Sequence, residues 1–383
     1  MKISHLALAI TLMAGIFSAA SVVRAEDGVT DAEIKVGMCN ALTGPSAALG
    51  TGMKAGATAF FSKLNAAGGV NGRKINLLSY DDAYEPAKTA ALTTKLIEED
   101  KVFALFGYVG TPTASAIMPQ LARSGIPFVA PFTGAELLRN PVKKNIVNVR
   151  GSYFDETEGL VEHLTTDLGI KSIGVFIQED AYGAAGEAGV QKALRKRDLT
   201  LAGKGTYTRG TEEIASGLAA LKSANPQAVI MVGSYKACAA FVKQAKAGGF
   251  KPLFCNVSFV GTSALMREMG DDGEGVYVSQ VMPSPWDDSV PVVKDYQAAM
   301  KAAGETEFDY TSLEGYVSAS VFAQGLDKSG AGLTREAFLN SLESLNTSIG
   351  GLTIALSPAS HQAMKDIYFI QVRAGKAIPI TKF

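Results

Sequence analysis

The sequence predicts an α/β protein with two doubly wound parallel-sheet lobes, and three observations carry this prediction. The chain has 383 residues, of which 47% are hydrophobic, and a chain of this length exceeds one compact core. Segments with strand and helix patterns alternate, as expected of parallel sheets covered by helices on both faces. The alternation stops and resumes near Asn145–Gly151, which divides it into two series.

The first series begins with a strand at Ile34–Met38 and a helix of small residues ending in a glycine stop. It comprises the helix Met53–Asn65, the strand Lys74–Tyr80, the helix Pro86–Glu99, the strand Val102–Phe106, the helix Pro112–Arg123 and the strand Ile126–Ala130. The second series comprises Ser172–Ile177, Gly183–Arg197, Leu201–Thr206, Glu212–Ser223, Ala228–Val232, Tyr235–Gly248 and Pro252–Phe254.

The N-terminus has the pattern of a secretory signal peptide. Lys2 precedes an apolar run at Leu6–Ala20, and Val23-Arg24-Ala25 places small residues before a cleavage point. We therefore expect residues 1–25 to be removed after Ala25 and the mature protein to be exported as a soluble periplasmic protein. A retained membrane anchor is the alternative, although the apolar core is short for a span.

Charge and cysteine content limit the partners and the cross-links. The chain carries 36 Lys+Arg against 37 Asp+Glu, a formal net charge of −1, whereas nucleic-acid binders carry a basic excess. Three cysteines, Cys39, Cys238 and Cys255, are an odd number, so at least one is unpaired. Either Cys238 and Cys255 form a disulfide or all three are buried free thiols.

Several patterns typical of enzymes fail on inspection, so the sequence predicts neither a cofactor nor a metal. Gly50 begins a GxGxxA pattern, but a loop separates it from its strand, whereas a dinucleotide fingerprint follows the strand directly. We interpret these glycines as a loose loop with close helix packing. His163 and His361 lack partners at metal spacing and are expected at the surface. Asp81-Asp82 is interpreted as a loop-capping carboxylate with a solvated neighbour, acid–base catalysis being the alternative.

The loops after the strands hold the candidate binding residues, because ligands of open parallel sheets bind beyond the carboxyl ends of the strands. These loops are rich in aromatic and hydroxyl side chains, the mixture that an apolar pocket with a few polar contacts needs. They include Tyr84, Tyr108, Thr111, Thr113, Phe132, Thr133, Tyr182, Tyr235, Ser258 and Trp286.

From Ile34 onward the chain resembles the type I periplasmic binding proteins of ABC transporters, and within them the leucine/isoleucine/valine-binding proteins. The resemblance rests on the order and spacing of individually weak motifs. These are Leu42-Thr-Gly-Pro45, Tyr80-Asp-Asp-Ala-Tyr-Glu-Pro86, Gly107-Tyr-Val-Gly-Thr111, Pro131-Phe-Thr-Gly-Ala-Glu136, Asp180-Ala-Tyr-Gly183, Gly233-Ser-Tyr235 and Asn256-Val-Ser-Phe-Val-Gly261.

The resemblance implies a role for individual residues. Thr111 and Thr133 match the hydroxyl positions that hold a ligand carboxylate. Tyr182 and Tyr235 match aromatic positions that the C-terminal lobe supplies. Leu49 matches a position in the wall of the binding pocket. Thr111-Pro112 also reads as an N-cap and N1 pair, which would direct free amides into the cleft. The other reading of Thr111 is a simple helix cap, and the two are compatible.

One departure from the family concerns the ligand. The family's amino-acid binders hold the ammonium group of the ligand with a carboxylate of the C-terminal lobe. This chain has Ser258 at that position. A hydroxyl does not neutralise a buried ammonium. Glu314 either replaces that carboxylate from another element or lies on a helix surface. Phe132, Tyr84, Tyr108 and Trp286 favour a larger apolar or aromatic carboxylate, with core packing as the competing role of each.

The resemblance further implies a hinge of three chain crossings, near Val147–Arg150, Gln280–Pro283 and Gly350–Ile354. The N-terminal lobe is expected to comprise residues 31–147 and 281–350, and the C-terminal lobe residues 148–280 and 351–383. The closed form would be recognised by the membrane permease of an ABC importer, and a monomer is expected. The alternatives are a periplasmic sensor that presents the ligand to a receptor kinase, and an exported enzyme on the same scaffold.

Overall fold

The structure, a computed structural model, describes residues 26–383; the predicted signal peptide lies outside these residues. The first half of this part contains β1 (Glu33–Asn40), α1 (Ala47–Ala66), β2 (Lys74–Asp81), α2 (Pro86–Glu98), β3 (Ala104–Phe106), α3 (Thr111–Ser124), β4 (Phe128–Val129), β5 (Ile146–Val147), α4 (Tyr153–Thr166), β6 (Ile173–Gln178), α5 (Ala181–Arg195) and β7 (Gly203–Tyr207). The second half contains α6 (Ala215–Ala224), β8 (Ala228–Val232), α7 (Tyr235–Ala247), β9 (Leu253–Asn256), α8 (Thr262–Met269), β10 (Tyr277–Gln280), α9 (Pro291–Ala302), α10 (Tyr310–Ser329), α11 (Arg335–Glu343), β11 (Asn346–Ile349), β12 (Leu352–Ala355), β13 (Tyr368–Arg373) and β14 (Lys376–Ile380). The predicted α/β class is confirmed.

The N-terminal lobe, called the near lobe below, is built on a five-stranded parallel sheet in the order β2-β1-β3-β4-β5. The inner strand β1 is apolar on both faces, with the neighbouring residues Met38 and Cys39 fully buried, as expected where helices cover both sides. Helix α10 packs along α1 on one face. The strands β3, β4 and β5 are short, so the loops that follow them start close to the middle of the sheet.

The C-terminal lobe, called the far lobe below, is built on a seven-stranded sheet in the order β14-β13-β10-β9-β8-β6-β7. The strands β6 to β10 are parallel, which agrees with the second predicted series. The last two strands, β13 and β14, join the sheet edge in antiparallel pairing. Every residue of β6 and β8 is buried, which is typical of central strands in a two-sided sheet.

Helix α1 begins earlier than the predicted range Met53–Asn65. It starts at Ala47 and includes the glycine pattern from Gly50, which is helical and not a loose loop. The close packing expected of these glycines is present, because a Cβ on Gly50 would lie 2.0 Å from the Ala41 carbonyl oxygen and one on Gly52 would lie 3.1 Å from the Thr311 side chain in α10. Small residues here serve the contact between two helices, and the helix propensity lost to glycine is outweighed by that packing.

The third chain crossing lies later than predicted. Gly350 and Gly351 form the turn between β11 and β12, which pair with each other. The chain instead runs beside the first crossing further on, where Asn148 accepts from the amide of Ala363 and its own amide donates to His361. The range Gly350–Ile354 is therefore a hairpin and not a crossing.

His361 and Asp82 are buried, contrary to the surface positions predicted for them. His361 bonds the Glu343 carboxylate at 2.9 Å and the Ile146 carbonyl at 2.8 Å through its two ring nitrogens. Asp82 accepts from the Tyr84 amide and the Thr89 hydroxyl, both at 2.8 Å, and burial raises its pKa. Local partners satisfy both side chains, which is what permits their burial.

Asp81 caps a loop as predicted. Its carboxylate accepts from the amides of Leu42, Thr43 and Ala83 and from the Thr43 hydroxyl, at 2.6–3.2 Å. Although partial burial acts to raise its pKa, these hydrogen bonds outweigh it and lower the pKa to about 2. The carboxylate is thus committed to holding the loop before α1.

The three cysteines are buried free thiols, which corresponds to one of the two predicted alternatives. Within residues 26–383, no helix combines the length and hydropathy needed to cross a bilayer.

Candidate ligand-binding site

The centre of the candidate site is a pair of threonine hydroxyls after two neighbouring strands. Thr111 follows β3 and Thr133 follows β4, and their Oγ1 atoms lie 2.7 Å apart, both fully buried. The Thr133 hydroxyl also lies 3.3 Å from the Tyr153 hydroxyl. The parallel pairing of β3 with β4 brings the two loops side by side, as the strand-end rule predicts.

Thr111 is the first residue of α3 and not its N-cap, which corrects the predicted capping role. The cap is Gly110, whose φ of 108° is open to glycine but strained for other residues, and the cap has no side-chain hydrogen bond. The first-turn amides of α3 carry the positive end of the helix dipole. The Thr111 hydroxyl does not cap the helix and instead forms a hydrogen bond with the Thr133 hydroxyl.

The far lobe contributes the aromatic positions that the sequence predicts. Tyr182 lies in the first turn of α5 and its hydroxyl donates to the Gly233 carbonyl at 3.4 Å. Tyr235 is the first residue of α7, and its hydroxyl lies 3.5 Å from the Ala48 amide at the start of α1. Both side chains are buried. Helix N-termini of both lobes thus meet at one place.

Further contacts join the lobes and show a closed arrangement. The Gln178 amide donates to the Tyr84 hydroxyl at 3.4 Å, and Arg209 forms an ion pair with Glu85 at 3.3 Å. Leu49 is fully buried and lies against Gly261, which precedes α8. Leu49 and Tyr84 belong to the near lobe. Because each contacts a residue of the far lobe, both lie at the face where the lobes meet.

Aromatic rings from both lobes line the cleft between them, and one of them was not predicted. Phe259 follows Ser258 in a single 3₁₀ turn and is fully buried. Its ring centroid lies 4.4 Å from Tyr182, 5.4 Å from Phe132 and 6.1 Å from Tyr84. Rings at these distances form offset and tilted pairs. The cleft is therefore aromatic on both sides.

Two predicted aromatic residues lie elsewhere. Tyr108 is in the near-lobe core, where its ring packs edge-on against Phe128 at 5.3 Å and its hydroxyl accepts from Thr93. Burial raises its pKa well above the ordinary value. Trp286 is 44% exposed and packs edge-on against Tyr310. Core packing accounts for Tyr108, and neither residue joins the aromatic group around Phe259.

A buried charged group, largely missed by sequence reasoning, adjoins the aromatic cleft. Arg150 follows β5, and its guanidinium lies 3.5 Å from Glu156 of α4 and 3.7 Å from Glu314 of α10. It also stacks over the Phe132 ring at 4.8 Å. Ser258 joins this group, because its hydroxyl accepts from Arg150 and donates to Glu156. Glu314 is buried and not on a helix surface.

Burial and charge together set the pKa values of this group. Burial raises the pKa of Glu314 to about 7, although the charge of Arg150 acts in the opposite direction. Burial acts to lower the pKa of Arg150, but Glu314 and Glu156 outweigh it and raise that pKa. A carboxyl near pKa 7 beside a permanent cation changes its charge within the physiological range.

The rule that ligands bind beyond the carboxyl ends of parallel strands would have located Arg150. It follows a strand, like Thr111 and Thr133, but from the sequence this segment is interpreted only as part of the hinge. Glu156 lies on a helix whose pattern shows no distinguishing signal. Among the described residues, no group of three His, Cys, Asp or Glu side chains is arranged to hold a metal ion.

Comparisons with known proteins agree with the fold. A family model described as periplasmic binding protein matches residues 33–377. The Leu/Ile/Val-binding protein of Escherichia coli K12 is 25% identical over 321 residues, covering 84% of this chain and 86% of that protein.

Two solved structures are also similar. A possible leucine/isoleucine/valine-binding protein from Rhodopirellula baltica SH 1 has a TM-score of 0.87 and 34% identity, covering 94% of this chain and 98% of that one. A substrate-binding periplasmic protein from Ralstonia solanacearum has a TM-score of 0.85 and 28% identity, covering 91% and 100%. With a family model that spans nearly all the described residues, the chain belongs to the type I periplasmic binding proteins of the leucine/isoleucine/valine-binding group.

Proposed function

We propose that the chain is the exported solute-binding component of an ABC importer and has no catalytic activity. Its ligand is a small carboxylate, either an amino acid or a related aromatic or apolar acid. The observation that carries this proposal is the buried pair of Thr111 and Thr133 hydroxyls, 2.7 Å apart, beside the first turn of α3. Uncapped helix amides and hydroxyls are the groups that hold a carboxylate.

The ligand is held by closure of the two lobes over this pair. The near lobe comprises residues 31–147 and 281–360, and the far lobe residues 148–280 and 361–383. A ligand shifts the population toward the closed form only through contacts that the closed form makes. Tyr182, Tyr235 and Phe259 supply such contacts from the far lobe. The membrane permease then recognises the closed protein, which is monomeric and acts in the periplasm after removal of residues 1–25.

A thermal-shift screen followed by calorimetry tests the proposal. The panel contains aliphatic and aromatic amino acids, their carboxylic acid analogues without nitrogen, and sugars as a negative class. A ligand that binds only the native state stabilises it by ~2.7 kcal/mol at a hundredfold excess over Kd. We expect stabilisation by at least one carboxylate and none by sugars. Binding of a sugar, with no carboxylate bound, would contradict the proposal.

A further inference from the structure

Arg150 is held between the two lobes by several partners. Its Nη2 atom donates to the Ser258 hydroxyl and lies 3.5 Å from Glu156 Oε1. Its guanidinium carbon lies 4.8 Å from the centroid of the Phe132 ring. The side chain has no exposed surface. These contacts fix the guanidinium, so its remaining donors point in defined directions.

Two nitrogen atoms of this guanidinium lack a hydrogen-bond acceptor within residues 26–383. These are Nε and Nη1, and the ion pair from Nε to Glu314 spans 3.7 Å, beyond hydrogen-bond length. A buried N–H group without an acceptor is costly, and more so in a charged group. Nη1 carries two N–H groups, so the site offers donors that a bound molecule would satisfy.

The carboxylate of Glu156 is already fully used. It accepts from the Ser258 amide at 2.7 Å, the Ser258 hydroxyl at 3.0 Å and the Ser279 hydroxyl at 2.6 Å. A ligand ammonium therefore finds no free carboxylate on the far-lobe wall. It would also face the positive charge of Arg150 there, and like charges repel strongly in a buried site.

Glu314 is the remaining carboxyl, and its surroundings favour the protonated form. Burial raises its pKa to about 7, Glu156 adds to this rise, and Arg150 and Arg139 oppose it. With Glu314 protonated, the charge pairing from Arg150 to Glu314 is lost, and Glu156 at 3.5 Å remains as the carboxyl partner of Arg150. A protonated Glu314 is also a hydrogen-bond donor. The group then presents donors and positive charge, which suit oxygen acceptors.

We propose that Arg150 contacts the ligand, and that the ligand is a carboxylic acid with a second oxygen acceptor in place of an ammonium group, as in a 2-oxo acid. The inference rests on the proposed function, whose carboxylate site at Thr111 it keeps. The second oxygen accepts from Arg150 Nη1, and the apolar remainder packs among Phe132, Phe259 and Tyr182.

Calorimetry with matched pairs tests this ligand class on the purified protein. The pairs are phenylpyruvate with L-phenylalanine, 4-methyl-2-oxopentanoate with L-leucine, and 2-oxoglutarate with L-glutamate. We expect the best oxo acid to bind at least about tenfold more tightly than its amino acid. If an amino acid binds as tightly as its oxo acid or more so, this inference fails while the proposed function stands. If none of the six compounds binds, this inference fails, and the wider carboxylate and sugar panel of the thermal-shift screen decides the proposed function.

Two variants then test the residues. Arg150→Lys keeps the charge and removes Nη1, so it should weaken binding of the best oxo acid at least about tenfold, whereas exposed Arg195→Lys should not change it. Unchanged affinity in a folded Arg150→Lys variant would overturn the assignment. Should this variant not fold, the pH dependence of binding by the unsubstituted protein provides the test.

The proton balance separates the two ligand classes independently of folding. An anion near Glu314 raises the pKa of its carboxyl, so oxo-acid binding should take up protons and weaken between pH 6 and pH 8. An ammonium would release protons and reverse this trend. Glu314→Gln, which is neutral at every pH, should remove this pH dependence. Proton release in buffers of different ionisation enthalpy, or an unchanged pH dependence in Glu314→Gln, would overturn the inference.

Discussion

Leu49 and Gly261 meet across the two lobes with no room for another carbon atom: a Cβ added to Gly261 would lie 2.6 Å from Leu49 Cδ2. Leu49 lies in the first turn of α1, and Gly261 precedes α8 with a φ of 78°. The residues belong to different lobes, so their distance depends on closure. The absence of a side chain at Gly261 is therefore a condition for the closed form.

We expect Gly261→Ala to weaken ligand binding about tenfold, because a methyl group there obstructs closure. The matched control is Gly249→Ala. Gly249 has a φ of 73° and no atom within 4 Å of an added Cβ. Gly249→Ala therefore introduces the backbone strain of ~1–2 kcal/mol without a steric collision. Calorimetric titration of both variants measures the difference, and equal affinities would show that Leu49 and Gly261 do not limit closure.

Glu314→Gln should change the pH dependence of stability. Burial raises the folded-state pKa of Glu314 to about 7, above the ordinary glutamate value of 4.5, so ionisation within the fold destabilises the protein as pH rises between these values. The stability lost by the unsubstituted protein across this range reaches roughly 3 kcal/mol, at 1.36 kcal/mol per pKa unit. Glutamine does not titrate and avoids this loss.

Urea unfolding at pH 5 and pH 8 checks this prediction. The free energies of unfolding of Glu314→Gln and the unsubstituted protein should be similar at pH 5, with the variant more stable at pH 8. The exposed control Glu98→Gln should show no such divergence. A difference that is the same at both pH values would contradict the buried, protonatable state of Glu314.

Glu156→Gln should destabilise the fold by ~3–5 kcal/mol, because it removes a buried partner of Arg150 and disturbs the Ser258 and Ser279 hydrogen bonds. Glu158 serves as the control, since its pairs with Lys196 and Arg197 lie near the surface. Glu158→Gln should cost less than ~1 kcal/mol. Denaturant unfolding of the two variants measures the contrast, and similar losses would argue against a structural role for the Glu156 network.

Thiol titration distinguishes the free cysteines from a disulfide. Cys39, Cys238 and Cys255 are buried, and burial raises the pKa of each thiol, which suppresses the reactive thiolate. We expect no reaction of the native protein with a chromogenic aromatic disulfide within minutes. All three should react after unfolding without reductant; a single reactive thiol would instead indicate a Cys238–Cys255 bond.

The fold was predictable because its signals are local. Apolar runs that alternate with helical patterns predicted every parallel strand except β5 and β10, together with the helices α1 to α3 and α5 to α7. The start of α1 was missed because Gly50 is typical of a loop, whereas in the fold it lets the helix pack closely against the backbone of Ala41. The antiparallel strands β13 and β14 were not predicted, since their partner β10 lies far away in sequence.

The candidate site was predictable where the strand-end rule applies, as for Thr111, Thr133 and Tyr182. The buried charges were not, because Glu156 and His361 are polar residues whose burial depends on partners brought together by the tertiary fold. Glu314 was suspected only as a replacement for a missing carboxylate. Its position 3.7 Å from Arg150 follows from the packing of α10 on the near lobe.

The central claim is that the Thr111 hydroxyl in the closed cleft holds a carboxylate ligand. Calorimetric titration of the unsubstituted protein and Thr111→Val, with the tightest-binding carboxylate of the screen, tests it most directly. Valine preserves the shape of the side chain and removes the hydroxyl, whose hydrogen bond to a charged group contributes ~1.5–3 kcal/mol.

We expect one binding site per protein, an affinity about tenfold lower in Thr111→Val, and unchanged affinity in the exposed control Thr200→Val. Equal affinity of Thr111→Val and the unsubstituted protein would contradict the account.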